Sequence, residues 1–282
     1  MFYSVKQYLS LIDMPKTSNW FLQFFDYEEE ESSHNHQQRC KITNFPKIFV
    51  TKVYLVNNTG TVVTDAQCDN MIEALNIQLQ NFCDSWSIKP AIVVKTDSPP
   101  SGSYQIYLTT DTQYTISGAY GYHMPPLNDG TVKAYVSVNV IMAAGTKNGV
   151  LYPTESTAAS VSRVVSHELL EMLVNPGVNK QYQADVSKLT RFPVDEQGNN
   201  ITTGIFTYYA EVGDAVNQQS YTITTADSTK VQVSDYILPS WFLTNGIAPF
   251  NYNNTLLGPL LLSTGGYYSR ANSNDPYTIN YK

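Results

Sequence analysis

The chain is expected to fold as an α+β protein, a mixed sheet packed on one buried helix, with extended arms at both ends. Three observations carry this expectation. Residues 156–176 read STAASVSRVVSHELLEMLVNP. At about 100° per residue, Val161, Val164, Val165, Leu169, Leu170, Met172, Leu173 and Val174 surround the axis, which predicts a buried helix. Runs rich in β-branched and aromatic residues recur at 47–56, 91–95, 104–109 and 133–142, the composition of strands. Finally, 1–40 and 245–282 differ in character from the middle, which divides the chain into an N-terminal arm with an acidic linker (1–40), a main domain (41–244) and an Asn/Tyr-rich C-terminal arm (245–282).

In chain order, Phe2, Val5, Tyr8, Leu9, Leu11 and Ile12 fall at helical spacing, and Trp20, Phe21, Phe24 and Phe25 follow as an aromatic group. The segment 26–39, DYEEEESSHNHQQR, has the acid block and polar run of a solvated linker, so His34 and His36 read as hydrophilic rather than metal-binding. The strand 47–56 ends in the turn cluster Asn57-Asn58-Thr59-Gly60. Thr64 or Asp65 then caps a helix to about Ser85, with Met71, Ile72, Leu75, Leu79 and Phe82 on its apolar side. Two strands and a Gly/Pro-rich loop at 110–130, containing His123, lead to 133–142, which alternates like an edge or half-exposed strand. After Pro176 the chain turns irregular, with a loop at 195–204; 220–225 and 230–237 read as a hairpin about Ala226-Asp227-Ser228. The last arm carries one apolar knot at 256–262.

Composition excludes some classes. Charged residues make up 15% and the net charge is −7, with no basic stripe to neutralise phosphates, so no nucleic acid is expected as partner. No run approaches the length of a membrane span and the N-terminus lacks a signal-peptide core, so the protein is expected to be soluble and not conventionally secreted, with release by lysis or packaging in a virion as routes outward. Cys40, Cys68 and Cys83 are an odd number without metal-type spacing. The 21 tyrosines suit a β-rich protein with hydrogen-bonding surfaces or assembly contacts.

The polar groups of the apolar helix require an explanation. His167 and Glu171 are one turn apart and point the same way, with Glu168 beside them. Carboxylates in such a setting need a cation, a basic partner or a water-filled cleft. In the His-Glu-x-x-His helix of zinc hydrolases, positions i and i+4 bind the ion and the intervening Glu is the base. Here Glu171 replaces the second His, a substitution that keeps chelation possible. The plainer alternative pairs Glu168 and Glu171 with Arg163 or Lys180. A third ligand is sought in Glu211 or Asp214, three residues apart in a short segment, or in His123, which could instead orient substrate or stabilise an oxyanion.

Four motifs in one order, Gly121-Tyr122-His123, 166–176 (SHELLEMLVNP), Glu211-Val212-Gly213-Asp214 and 233–242 (VSDYILPSWF), resemble a group of bacterial and viral proteins with zincin-like metalloprotease features. The order strand, helix, three strands, helix is analogous to the N-terminal half of that architecture. The resemblance implies a zincin-like metallohydrolase with His167 and Glu171 as ligands, Glu168 as base and Glu211 or Asp214 close by. Asn175 stands where Asp is usual, and Gly213 and Ala215 stand where Cys and Pro are usual. The expected function is a zinc-dependent peptidase acting on peptide or protein substrates. Its rival is a catalytically silent structural or assembly protein of a virus or phage particle, joined to other subunits through the arms. A calcium-stabilised binding module is the third reading.

Overall fold

Alternation with period two decides the main layer. In the computed structural model, which describes residues 49–281 except 117, 156–157, 194, 196–198 and 272–277, five strands form one sheet: β1 (Thr51–Asn58), β2 (Ala91–Lys95), β3 (Tyr104–Thr109), β4 (Gly121–Met124) and β5 (Val132–Ser137). Their order is β2-β1-β3-β5-β4. The first four are parallel neighbours, and β4 runs antiparallel to β5 at the edge. Val53, Val93, Ile106, Leu108, Ala134 and Val136 line one face and are buried in the core, because alternate residues of a strand share a face.

That face is covered by helices α1 (Asp65–Trp86) and α3 (Val161–Val174); a short helix, α2 (Val138–Ala144), links the sheet to α3. Thr64 caps α1 through a reciprocal bond with Gln67, and Cys68 and Cys83 lie buried along it as free thiols. The opposite face of the sheet carries a tyrosine row: Tyr107, Tyr135 and Tyr122 are in direct cross-strand register, and Tyr114 stacks on Tyr135 at 4.6 Å.

The run 133–142 is therefore not an edge strand. Its first part is β5, paired on both sides, and its remainder is α2. The edge is β4, formed by the segment expected as a loop, so His123 stands on a strand.

Further on, β6 (Gln181–Asp185), β7 (Ile205–Tyr209), β10 (Tyr267–Ala271) and β11 (Thr278–Tyr281) make a second sheet, in the order β11-β10-β7-β6. The expected hairpin forms as β8 (Ser220–Thr224) and β9 (Lys230–Ser234). Beyond Asn245, Phe250, Leu256, Leu260, Leu262 and Tyr268 lie in the same buried cluster as the helices. The arm 1–40, with His34, His36 and Cys40, lies outside the described residues, as do the first two residues of the strand expected at 47–56. Among the described residues, no helix is long and apolar enough to cross a membrane.

α3 is buried nearly all round, as its apolar wrapping requires, and its serines bind the hairpin. Ser166 Oγ donates to Gln78 Oε1 at 2.6 Å and accepts from the Ser234 N–H at 3.0 Å. Ser162 Oγ bonds the Gln232 carbonyl, and Ser160 Oγ bonds the Gln232 amide oxygen while capping the helix at Arg163 N–H. Replacing Ser166 by Ala would leave the Ser234 N–H buried without an acceptor, so Ser166→Ala is expected to lower unfolding free energy by about 1–3 kcal/mol. Urea unfolding checks this, and a loss below about 0.5 kcal/mol would contradict the bridging role.

Candidate metal centre

The other polar stripe of α3 faces β4 and the segment that follows β7. His167, Glu168 and Glu171 are all buried, and helical spacing aims His167 and Glu171 together. His167 Nε2 lies 3.3 Å from Glu171 Oε1 and 3.3 Å from Asp214 Oδ1. Asp214 begins a single 3-10 turn (Asp214–Val216), and the Gly213 N–H donates to Glu171 Oε1 at 3.1 Å. A Cβ at Gly213 would lie 2.4 Å from His167 Nδ1, so the close approach of this segment to the imidazole depends on glycine.

On the other side, His123 Nδ1 is 3.7 Å from Glu168 Oε2 and 4.0 Å from Glu171 Oε2. Its Nε2–H donates to the Asn175 carbonyl at 3.2 Å, which turns Nδ1 toward the carboxylates. Two groups thus have donor atoms close enough to hold an ion, His167/Glu171/Asp214 and His123/Glu168/Glu171, with Glu171 common to both. Glu211 belongs to neither. Its Oε1 accepts from Asn175 Nδ2 at 2.8 Å, and its Oε2 is shut off from solvent without a hydrogen-bond partner.

Tyr267, whose side chain bonds Asp214, is a neighbour that sequence reasoning missed. Asn175, noted in the sequence as standing where Asp is usual, holds both sides of the site. Its carbonyl holds His123, its amide nitrogen holds Glu211, and its Oδ1 accepts from the Asn179 and Lys180 N–H groups at 2.9 and 2.7 Å. An Asp here would keep the acceptor and lose the donor to Glu211. Its sequence signals were its place at the end of the helix before Pro176 and its departure from the usual Asp.

The plainer pairing is not what forms. Among the described residues, neither Arg163 nor Lys180 lies within ion-pair distance of Glu168 or Glu171; Lys180 Nζ instead sits over the Trp86 and Tyr182 rings, 5.7 Å from each centroid. Among the described residues no Lys or Arg pairs with these acids, and two of them, Glu171 and Glu211, hold their protons more tightly than ordinary carboxyl groups. Burial, with Asp214 and Glu211 nearby, pushes the Glu171 carboxyl well above the usual range. Burial likewise lifts Glu211 to about 7. Burial disfavours protonation of both imidazoles, but Glu168 beside His123 and Asp214 beside His167 outweigh it and raise their pKa values above 6.5. A divalent cation would relieve all of these groups at once. No protein-family model, curated protein or solved structure matches this chain.

The pH dependence of the chelator-treated protein follows. Glu171, Glu211, His123 and His167 all have folded-state pKa values above their ordinary ones, so the folded chain retains protons that the unfolded chain releases. Their contribution is full below about pH 4.5 and is lost as pH rises through each group's raised folded-state value, about 7 for Glu211, above 6.5 for the two imidazoles and well above 4.5 for Glu171. Melting temperature in chelator should therefore be higher at pH 5 than at pH 8, and added metal should reverse this ordering. Thermal scans at both values check it; a chelated protein more stable at pH 8 would show that the acids are not strained.

Proposed function

We propose that this protein is a metal-dependent hydrolase, with zinc as the ion and a peptide as the substrate. The observation that carries the reading is the convergence of His167, Glu171 and Asp214 on one buried seat, with Glu168 next along the helix and facing the sheet edge. A Cβ at Gly121 would lie 2.9 Å from Glu168 Oε1, so the start of β4 passes directly over this carboxylate. One imidazole and two carboxylates match a catalytic zinc site of three protein ligands with a position left over. Calcium would ask for six to eight oxygens, fewer of which are offered here. The orphaned Glu211 Oε2 adds negative charge beside the seat and suits a cation of either kind.

A zinc ion held by His167, Glu171 and Asp214 would supply Lewis acidity, polarising a carbonyl and acidifying a water. The remaining work falls to side chains and backbone. Glu168 takes the proton of the attacking water and returns it to the leaving amine. His123, anchored through Nε2–H to the Asn175 carbonyl, orients Glu168 and in its protonated form presents Nδ1–H toward developing negative charge. β4 ends the sheet, and among the described residues no strand pairs with its outer side; an extended peptide can add there through backbone hydrogen bonds. The alternation of strands and helices, with a sheet edge beside the motif helix, supports the resemblance to zincin-like architectures.

A second reading, a catalytically silent assembly protein of a virus or phage particle, draws on Ile205, Leu243, Ile247 and Leu257, which expose large apolar side chains, Ile247 to 82%. Such surface suits contact with other subunits.

Metal analysis of purified protein is expected to give one zinc per chain. Glu168→Gln should retain the metal and lower cleavage of casein by about 10²–10⁴-fold. Absence of bound metal in the wild type would end the enzyme reading; bound metal with no hydrolysis by wild type would favour the assembly role. Gly213→Ala should weaken zinc binding by about 10–100-fold, because the added methyl displaces His167, and competition with a chromophoric chelator measures it; unchanged affinity would mean that His167 is not a ligand.

A further inference from the structure

Arg163 lies on α3 one turn before His167 and is only 9% exposed. Its backbone N–H bonds Ser160 Oγ, but its guanidinium makes no ion pair or hydrogen bond with any described residue. A guanidinium cannot shed its proton to escape burial, as a buried lysine, histidine or carboxyl group can. A shielded cation without an anion is among the costliest arrangements in a folded chain. Among the described residues no anion meets it, and the carboxylate of a bound ligand would supply the missing charge.

Its position says where that charge would come from. Residues four apart on a helix share a face, so Arg163 and His167 open on the same side of α3, and the positive field of Arg163 disfavours protonation of His167. On the other flank, Tyr120 also lies within its electrostatic reach. Tyr120 directly precedes β4, and its carbonyl accepts from the Ser137 N–H at 2.8 Å, extending the β4–β5 ladder by one residue. The guanidinium is thus at the Gly121 end of the sheet edge, beside the metal seat.

We propose that Arg163 binds a carboxylate of the substrate, on the C-terminal side of the bond that is cut. This rests on the peptide-hydrolase reading and narrows it. A peptide added antiparallel to β4 directs its C-terminal half toward Gly121, where the planar fork of Arg163 accepts a carboxylate through two parallel N–H···O bonds. The carboxylate is either the free C-terminus or an acidic side chain shortly after the scissile bond. The chemistry is the same for both, and the two sources are separated by experiment.

The test uses full-length zinc-loaded protein carrying Glu168→Gln, so that binding is measured without turnover. Calorimetry compares acetyl-tetra-alanine as the free acid, the same peptide as the C-terminal amide, and acetyl-Ala-Ala-Asp-Ala amide. At least one of the two carboxylate peptides should bind about tenfold or more tightly than the neutral amide, and which of them does so identifies the source. Adding Arg163→Met should bring that ratio to about one, and Arg163→Lys should give an intermediate ratio because the charge remains and the fork is lost. Without peptide, Arg163→Met should also melt about 2–4 °C higher, since an uncompensated charge has been removed. Equal binding of acid and amide forms, no binding of any peptide up to millimolar concentration, or a lower melting temperature in Arg163→Met would overturn the proposal. Wild-type hydrolysis separates the two claims: discrimination without hydrolysis sinks the enzyme reading alone, and hydrolysis without discrimination sinks the carboxylate site alone.

Discussion

Four carboxylates and two imidazoles share a space from which water is largely shut out, and among the described residues no lysine or arginine pairs with them. Glu168, Glu171 and Asp214 are buried, Glu211 has a shielded oxygen without a partner, and His123 and His167 lie between them. Like charges at such distances are tolerable only if protons or a cation intervene. The surrounding structure keeps the groups together all the same. Gly213 bonds Glu171 by its N–H and leaves room for the His167 ring, and Asn175 grips His123 and Glu211 from opposite sides. Local stability is given up for geometry, a pattern usual at functional sites.

α3 bears this arrangement because it is anchored elsewhere. Its apolar residues fill the core between sheet and hairpin, and Ser160, Ser162 and Ser166 fasten it to β9 and α1 through fully buried hydrogen bonds. A helix held on that side cannot rotate to relieve repulsion on the other. The site residues therefore sit on rigid elements, α3 and β4, with only the 211–214 segment contributed by irregular chain, the disposition that preorganised chemistry requires.

The same logic extends to Arg163. The acidic cluster and the guanidinium, which pairs with no described anion, lie along α3 beside β4 without neutralising each other, so the helix carries positive and negative charge at separate places. Separated charges of this kind orient a polar chain laid beside them, and the sheet edge supplies a direction for it to lie in.

Periodicity is a local property, and what depends on it could be read from the residues in order. The buried helix, the shared aim of His167 and Glu171, a helix capped at Thr64 or Asp65 and the 220–237 hairpin all follow from spacing within a few turns. Strand order does not. A central strand with one bare face and an edge strand both alternate with period two, so 133–142 resembled an edge, while the edge itself lay in a Gly-rich stretch too short to declare a strand. Nor could spacing choose between Glu211 and Asp214, three residues apart; the close approach allowed at Gly213 brings Asp214 to His167, and Asn175 draws Glu211 away. The amino-acid sequence by itself determined which residue types would be forced together on a hydrophobic helix. Only the tertiary structure decided which acids meet which imidazole and which cation meets no described anion, because those contacts join segments more than 30 residues apart, as between Glu171 and Gly213, and chain-local chemistry carries no record of them.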